Sequence, residues 1–281
     1  YCIIPKLRGR YRSRPMDKIL EEARMLSDRG VKELMVIAQD ITRYGTDLDG
    51  QYHLAELLRE LCKLDFHWIR LHYLYPDEIT EELIDTIAQE PKIVKYLDIP
   101  IQHCNDGVLK AMNRRGDKAF LLEMFQKLRD RIPGLVLRTS LITGLPGEDE
   151  AAFEELCGFL RQVRIERAGV FPYSPQEGTA AERMERVSEE EARRRAELLV
   201  DVQSEVIDEY NESMQGEVLE VLCEGFDGQA MCYVGRSFAE SPDIDGRIYF
   251  TADGEAEEGS FVPVRITGAM DGELTGELME E

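Results

Sequence analysis

Five short apolar runs between residues 33 and 173 constrain the fold more than any other feature, because a stretch of helical periodicity separates each from the next. The runs are ELMVIA (33–38), WIRLHYL (68–74), YLDIPI (96–101), LVLRTSLITG (135–144) and RAGVFPY (167–173). Ahead of the first, Met16, Ile19, Leu20, Ala23 and Leu26 recur at helical intervals, and Gly30 closes that segment. Between the others lie Leu54, Leu57, Leu58 and Leu61, the stretch 79–89, the series Leu121, Leu122, Phe125, Leu128 and Ile132, and the series Phe153, Leu156, Leu160 and Val163. Strands that alternate with helices through short links form a parallel sheet with crossover helices. The expectation is an α/β fold, an open partial barrel of about six βα units, with a first strand lying upstream of residue 1. In such a fold the chemistry gathers at the C-terminal strand ends. Here those ends read AQD (38–40), LHYLYPD (71–77), IPIQH (99–103), ITGLPGE (142–148) and FPYSP (171–175), rich in polar groups.

The pattern changes after residue 188. Ser188 and Glu191 have capping-box form, and Ala192, Ala196, Leu199, Ile207 and Tyr210 continue as a helical stripe. Short strands then follow at 218–223, 229–234, 247–250, 261–267 and 273–278, separated by Gly and Asp turns. That is the signature of a small antiparallel barrel. The division is placed at residues 1–211 and 212–281.

Charge sets the second part aside. The whole chain carries 56 acidic and 34 basic residues, a net of −22. Residues 212–281 hold 17 of the acidic residues and only Arg236, Arg247 and Arg265, a net of −14. A domain that grips phosphates needs Lys and Arg, so direct nucleic-acid binding is not expected. A basic protein partner is, since opposite charge steers encounter. No apolar run approaches the ~18 residues of a membrane span. The six cysteines show no paired framework, which reads as a reduced, cytoplasmic protein.

The chain opens on YCIIPKLRGRYRSRP, without an initiating Met. Cys2 sits in an apolar clip followed by Lys6, Arg8, Arg10, Arg12 and Arg14. A thiolate in a loop at the polar rim is placed to ligate soft iron. Ser13 or a neighbour is expected to cap the helix that follows, with Pro15 in its first turn.

The opening resembles the end of the CxxxCxxC loop of the radical SAM methylthiotransferases, with Cys2 as the third cysteine. The resemblance continues through VIAQDITRYGTD (36–47), WIRLHYLYPDEIT (68–80), YLDIPIQHCNDGVLKAMNRRG (96–116), LRTSLITGLPGE (137–148), GVFPYSPQEGTAA (169–181) and GRSFAESPDIDG (235–246). It is strongest with the branch of the family that methylthiolates an aspartate of ribosomal protein S-twelve. The last segment resembles a TRAM domain. Departures are small: Pro175 and Gln176 follow YS where the family more often has acidic residues, and Asp149 follows PGE in place of Thr.

The resemblance implies an open (β/α)6-type radical SAM partial barrel, and a 4Fe–4S cluster held in part by Cys2 with S-adenosylmethionine (SAM) on its open iron. It implies a SAM site drawn from Gln39, Asp40, Gln102, His103, Arg138, Ser140, Gly144, Glu148, Phe171 and Tyr173. Gly144 would let backbone approach the ligand. The full-length enzyme would carry a second cluster on a further N-terminal domain, so the present chain alone is expected to be inactive. An electron-donor protein and ribosomal protein S-twelve are the implied partners. Two other readings are methylthiolation of a tRNA adenosine and a non-catalytic ribosome-binding module.

Overall fold

The computed structural model describes residues 2–279. Two compact units divide the chain, Tyr1–Val202 and Gln203–Glu281. The first contains α1 (Ile4–Arg8), α2 (Met16–Asp28), β1 (Glu33–Ile37), α3 (Leu54–Cys62), β2 (Trp68–His72), α4 (Glu81–Gln89), β3 (Ile93–Asp98), α5 (Asp106–Ala111), α6 (Lys118–Arg131), β4 (Val136–Thr143), α7 (Glu150–Val163) and β5 (Arg167–Pro172). The long helix α8 (Glu189–Ser213) begins in the first unit and ends in the second. The unit boundary therefore falls inside a helix, nine residues before the change in composition that marks residue 211.

The helix starts follow from local chemistry. Thr80, Asn105, Asp117 and Asp149 each accept a hydrogen bond from the backbone N–H three residues on, satisfying a donor that the first turn leaves over. Ser188 does the same for Glu191. The Glu191 carboxylate does not close the capping box but turns to Arg194 and Arg195, which hold its pKa down to about 2.

Strands β1 to β5 form one sheet in sequence order, every pair parallel. β3 begins three residues before the apolar run 96–101 and ends at Asp98. Lys95 hides that start in the sequence: its amine reaches back to backbone carbonyls at the end of α4, a tertiary contact that periodicity does not record. The helices α1 and α5, five and six residues long, are too short to show a period.

One face of the sheet packs on the helices. Ile69, Leu71, Ile93, Leu97, Leu137 and Leu141 join the helix residues Leu58, Ile87, Leu128 and Leu156 in a single buried cluster. At about 25 cal/mol per Å² of apolar surface removed from water, this is the main stabilising contribution. The inner face alternates with it and carries Glu33, Arg70, Tyr96, Asp98, Arg138 and Arg167.

The second unit is a closed barrel of β6 (Val218–Asp227), β7 (Cys232–Arg236), β8 (Ile248–Thr251), β9 (Phe261–Met270) and β10 (Glu273–Leu278), in the order β10-β8-β7-β6-β9. Four seams are antiparallel, and the one that closes the barrel, β10 on β8, is parallel. Val221, Cys223, Ile248, Phe250, Val264, Ile266 and Leu274 fill it. Among the described residues no helix is long and apolar enough to cross a membrane.

Candidate functional site

The C-terminal strand ends of the first unit make one rim, and the segment before α2 runs across it. At the β4–β5 side Cys2 is exposed and shares a depression of about 270 Å³ with Ile142, Pro172 and Tyr173. Lys6 donates to the Gly178 carbonyl just beyond. At the β1 side the Tyr11 hydroxyl donates to the Asp40 carbonyl at 3.1 Å. Burial, then Asp40, pushes that phenol up to about 12. Ser13 does not cap α2. Its hydroxyl donates to Asp47 at 2.5 Å, its N–H donates to the same carboxylate at 2.8 Å, and its oxygen accepts from Gly45 N at 3.0 Å. A Ser13→Ala variant is therefore expected to free the segment 9–15, measured as faster tryptic cleavage after Arg10 and Arg12 with the sheet intact. Unchanged cleavage would show that Tyr11 and Tyr44 hold the segment without it.

Two strand ends carry strain. Tyr73, just past β2, and Gln102, four residues past β3, have φ of 63° and 70°, a region that side chains other than those of Gly and Asn rarely occupy. Gln102 is held there by backbone bonds to β4: its N–H donates to Ser140 O and its carbonyl accepts from Ile142 N. Tyr73 is exposed above the inner face and is fixed by its N–H on Asp98. Such outliers gather where a backbone is over-determined for a task.

Below the rim a charged cluster lies on the inner face. Asp98 is fully buried and accepts from Arg138 at 2.7 Å. His72 Nδ1 stands 3.5 Å from its other oxygen. Burial alone would raise this carboxyl. The His72 and Arg138 contacts overcome it and hold the pKa below its ordinary value. Beneath, Arg70 pairs with Glu33 at 2.7 Å and lies over the Tyr96 ring. Sequence reasoning picked out Arg138 but missed Asp98 and His72. The available signal was a charged residue and a histidine at inward positions of two apolar strands.

The predicted site residues divide into two groups. Cys2, Gln39, Gln102, Ser140 and Phe171 lie at or near the rim, and Phe171 is 53% exposed. Tyr173 is buried and lines the same depression as Cys2, and among the described residues its hydroxyl has no hydrogen-bond partner. Asp40, His103, Gly144 and Glu148 are engaged elsewhere. Asp40 accepts from Thr42 N and Oγ1 at 2.9 and 2.6 Å, closing its own turn. A Cβ on Gly144 would stand 2.4 Å from the Cβ of Ala192, so the missing side chain is what lets α8 pack here. Glu148 accepts from Gly144 N at 2.9 Å and from Arg195 at 2.8 Å, with His103 Nε2 at 3.4 Å. The reason is packing: LPGE reads as a ligand turn along the chain, but α8 lies over it, joined by Thr143 Oγ1 to the Ala192 carbonyl at 2.7 Å.

The site offers an iron–sulfur cluster one ligand. Among the described residues no three His, Cys, Asp or Glu side chains converge as a metal site. Cys62 and Cys104 are pushed up to about 12 by burial and are fillers. Cys2 is the exposed cysteine, in a depression also lined by Tyr173. One accessible thiol fits one corner of such a group.

A parallel sheet under crossover helices, with a polar inner face and a thiol at the strand C-termini, defines a βα partial-barrel protein. Residues 1–160 match the family model described as the radical SAM superfamily, and residues 216–279 match that of the TRAM domain. The chain belongs to the radical SAM superfamily, whose members use a 4Fe–4S cluster and SAM. Among curated relatives, one from Caldanaerobacter subterraneus subsp. tengcongensis is 47% identical over 99% of this chain, and one from Geotalea uraniireducens 49% over 99%. Both are named ribosomal protein uS12 methylthiotransferase RimO, and this chain spans 63% of the length of each. Coproporphyrinogen III oxidase (HemN) of Escherichia coli, a radical SAM enzyme, shares the fold with a TM-score of 0.52 at 19% identity, over 68% of this chain and 46% of its own.

Proposed function

We propose that this chain is the radical-generating and partner-binding part of an enzyme that adds a methylthio group to the β-carbon of an aspartate in ribosomal protein S-twelve. The observation that carries this is identity of 47–49% along 99% of the chain to relatives of that name. Those relatives are longer, so the complete transfer is assigned to the longer protein. The 281-residue chain alone is expected not to perform it.

Cys2 would supply one thiolate to a 4Fe–4S cluster, and Tyr173 lines the depression beside it. Gln39, Gln102, Ser140 and Phe171 line the SAM site. When bound, the cluster and SAM supply a one-electron cleavage whose product removes a hydrogen atom from carbon; the protein contributes position and dryness. Arg138, locked by Asp98, offers a fixed cation beneath the rim. Tyr73 and Phe171 cover the site with aromatic surface. No general base is required of these residues, because hydrogen leaves the substrate as an atom. Residues 212–281, at −14, form the module that receives the basic ribosomal protein. An electron-donor protein completes the set, and the ribosomal substrate places the reaction in the cytoplasm.

The test uses the full-length parent protein, reconstituted with iron, sulfide, SAM and reductant and offered S-twelve and bulk tRNA together. Mass spectrometry is expected to find a methylthio group on the S-twelve aspartate. A product on tRNA alone would overturn the substrate assignment. Cys2→Ser in that protein is expected to lose about four iron atoms per chain and all product. Full iron content in the variant would remove Cys2 from the cluster.

A further inference from the structure

The barrel carries an apolar projection that its own fold does not use. Phe226 and Met231 flank the turn between β6 and β7 and are 54% and 71% exposed. Phe226 is not loose. Its ring meets Tyr233 edge-on at 5.2 Å, and Tyr233 stacks at 5.6 Å on Phe250, which is buried in the barrel core. Asp227 accepts from Gln229 N at 2.8 Å and Ala230 N at 3.1 Å, fixing the turn. Met231 sits at φ 55°, where a long side chain is uncommon. A rigid, exposed aromatic loses little entropy when covered, which is the property of interface anchors.

Carboxylates outnumber cations beside this tip, where the Ala230 and Gln229 N–H groups, and then Arg247, help hold the Asp227 carboxyl below its ordinary range. The loop 252–260 is tied along β6 by Cys223 N on Ser260 O at 2.9 Å and Gly259 N on Cys223 O at 2.8 Å. It carries Glu255, Glu257 and Glu258, all exposed. The Glu258 carboxylate lies 3.7 Å from where a Cβ of Gly225, the residue before Phe226, would stand. Of the three arginines in residues 212–281, Arg236 is buried and paired with Glu224 at 2.6 Å. Arg247 acts on Asp227 of the turn, but Glu255, Glu257 and Glu258 leave the surroundings net acidic, which disfavours phosphates and favours lysines and arginines.

We infer that the β6–β7 tip and the adjoining acidic loop are the docking surface of the barrel, taking a basic protein segment that places an apolar side chain on Phe226 and Met231 between flanking cations. The inference rests on the reading that the barrel receives a basic protein, and assigns the place where it does so.

The test titrates purified S-twelve into the full-length protein by calorimetry at two salt concentrations. Phe226→Ser and Met231→Ser are each expected to weaken binding tenfold or more. The pair Glu257→Lys with Glu258→Lys should weaken it as much and flatten the salt dependence. Val218→Ser, on a 50% exposed residue at the other end of β6, should bind as wild type. Phe226→Tyr keeps the ring and should retain affinity, which separates lost anchoring from lost folding. Absence of wild-type binding would remove the basic-partner reading itself. Wild-type binding that survives both serine variants would overturn the tip alone. Displacement of S-twelve by RNA, or self-association abolished by Phe226→Ser, would give the surface a different occupant and overturn it likewise.

Discussion

Replacing Glu148 by alanine is expected to cost about 3 kcal/mol of stability, toward the lower end of what breaking a buried ion pair costs. The variant would remove one of the carboxylates paired with Arg195, which is 4% exposed, and unpair Gly144 N. The loss stays at the lower end because Arg195 retains Glu150 and Glu191 at 2.9 and 2.8 Å. Glu148→Gln keeps the shape and should lose less, about 1–2 kcal/mol. The measurement is the urea midpoint at unchanged m-value. An alanine variant as stable as wild type would show that the network does not hold α8 to the end of β4.

The same carboxylates give a pH signature. Burial works against the charged form of Glu148 and Asp98. His103 and Arg195 on the first, and His72 and Arg138 on the second, outweigh it and leave both pKa values below the ordinary range. A carboxyl depressed in the folded state stabilises above its unfolded pKa, and that contribution is lost as pH falls through the folded value. Stability should therefore fall away below about pH 4. Asp40 and Glu166, raised by burial, oppose the top of that slope. Glu148→Gln should flatten it, and an unaltered acid limb would exclude Glu148 as a contributor.

Replacing Arg138 by methionine is the second large effect. It leaves Asp98 buried with only His72 and the Tyr73 N–H, and is expected to cost about 3 kcal/mol. Adding Asp98→Asn to the same chain removes the stranded charge and should restore most of that stability. In the full-length protein neither variant is expected to recover product formation, because the fixed cation beneath the rim is gone. A double variant that stays as unstable as the single one would mean Arg138 acts by packing. One that regains full activity would remove Arg138 from the site.

How much of this was legible beforehand depends on the range of the cause. The cap at Ser188 and the alternation of strand and helix were readable because they are local. The rim was legible as a set of strand ends, since a parallel sheet brings successive C-termini to one edge. The division of rim residues into those that face outward and those consumed by the fold was not. Gly144 and Glu148 sit in a stretch that reads as a ligand turn, and only the return of α8, some 45 residues later, closes over them.

The amino-acid order by itself determined the parallel sheet, the small barrel, the thiol at the rim and the charge that separates residues 212–281 from the rest. Those are properties of period, turn chemistry and composition, summed over short windows. The tertiary structure alone decided that Asp98 meets Arg138, that Ser13 binds Asp47 rather than α2, and that Phe226 stands rigid on Tyr233 and Phe250. Each is a contact between groups far apart in sequence or on neighbouring strands, where register and burial choose the partner and no local preference can.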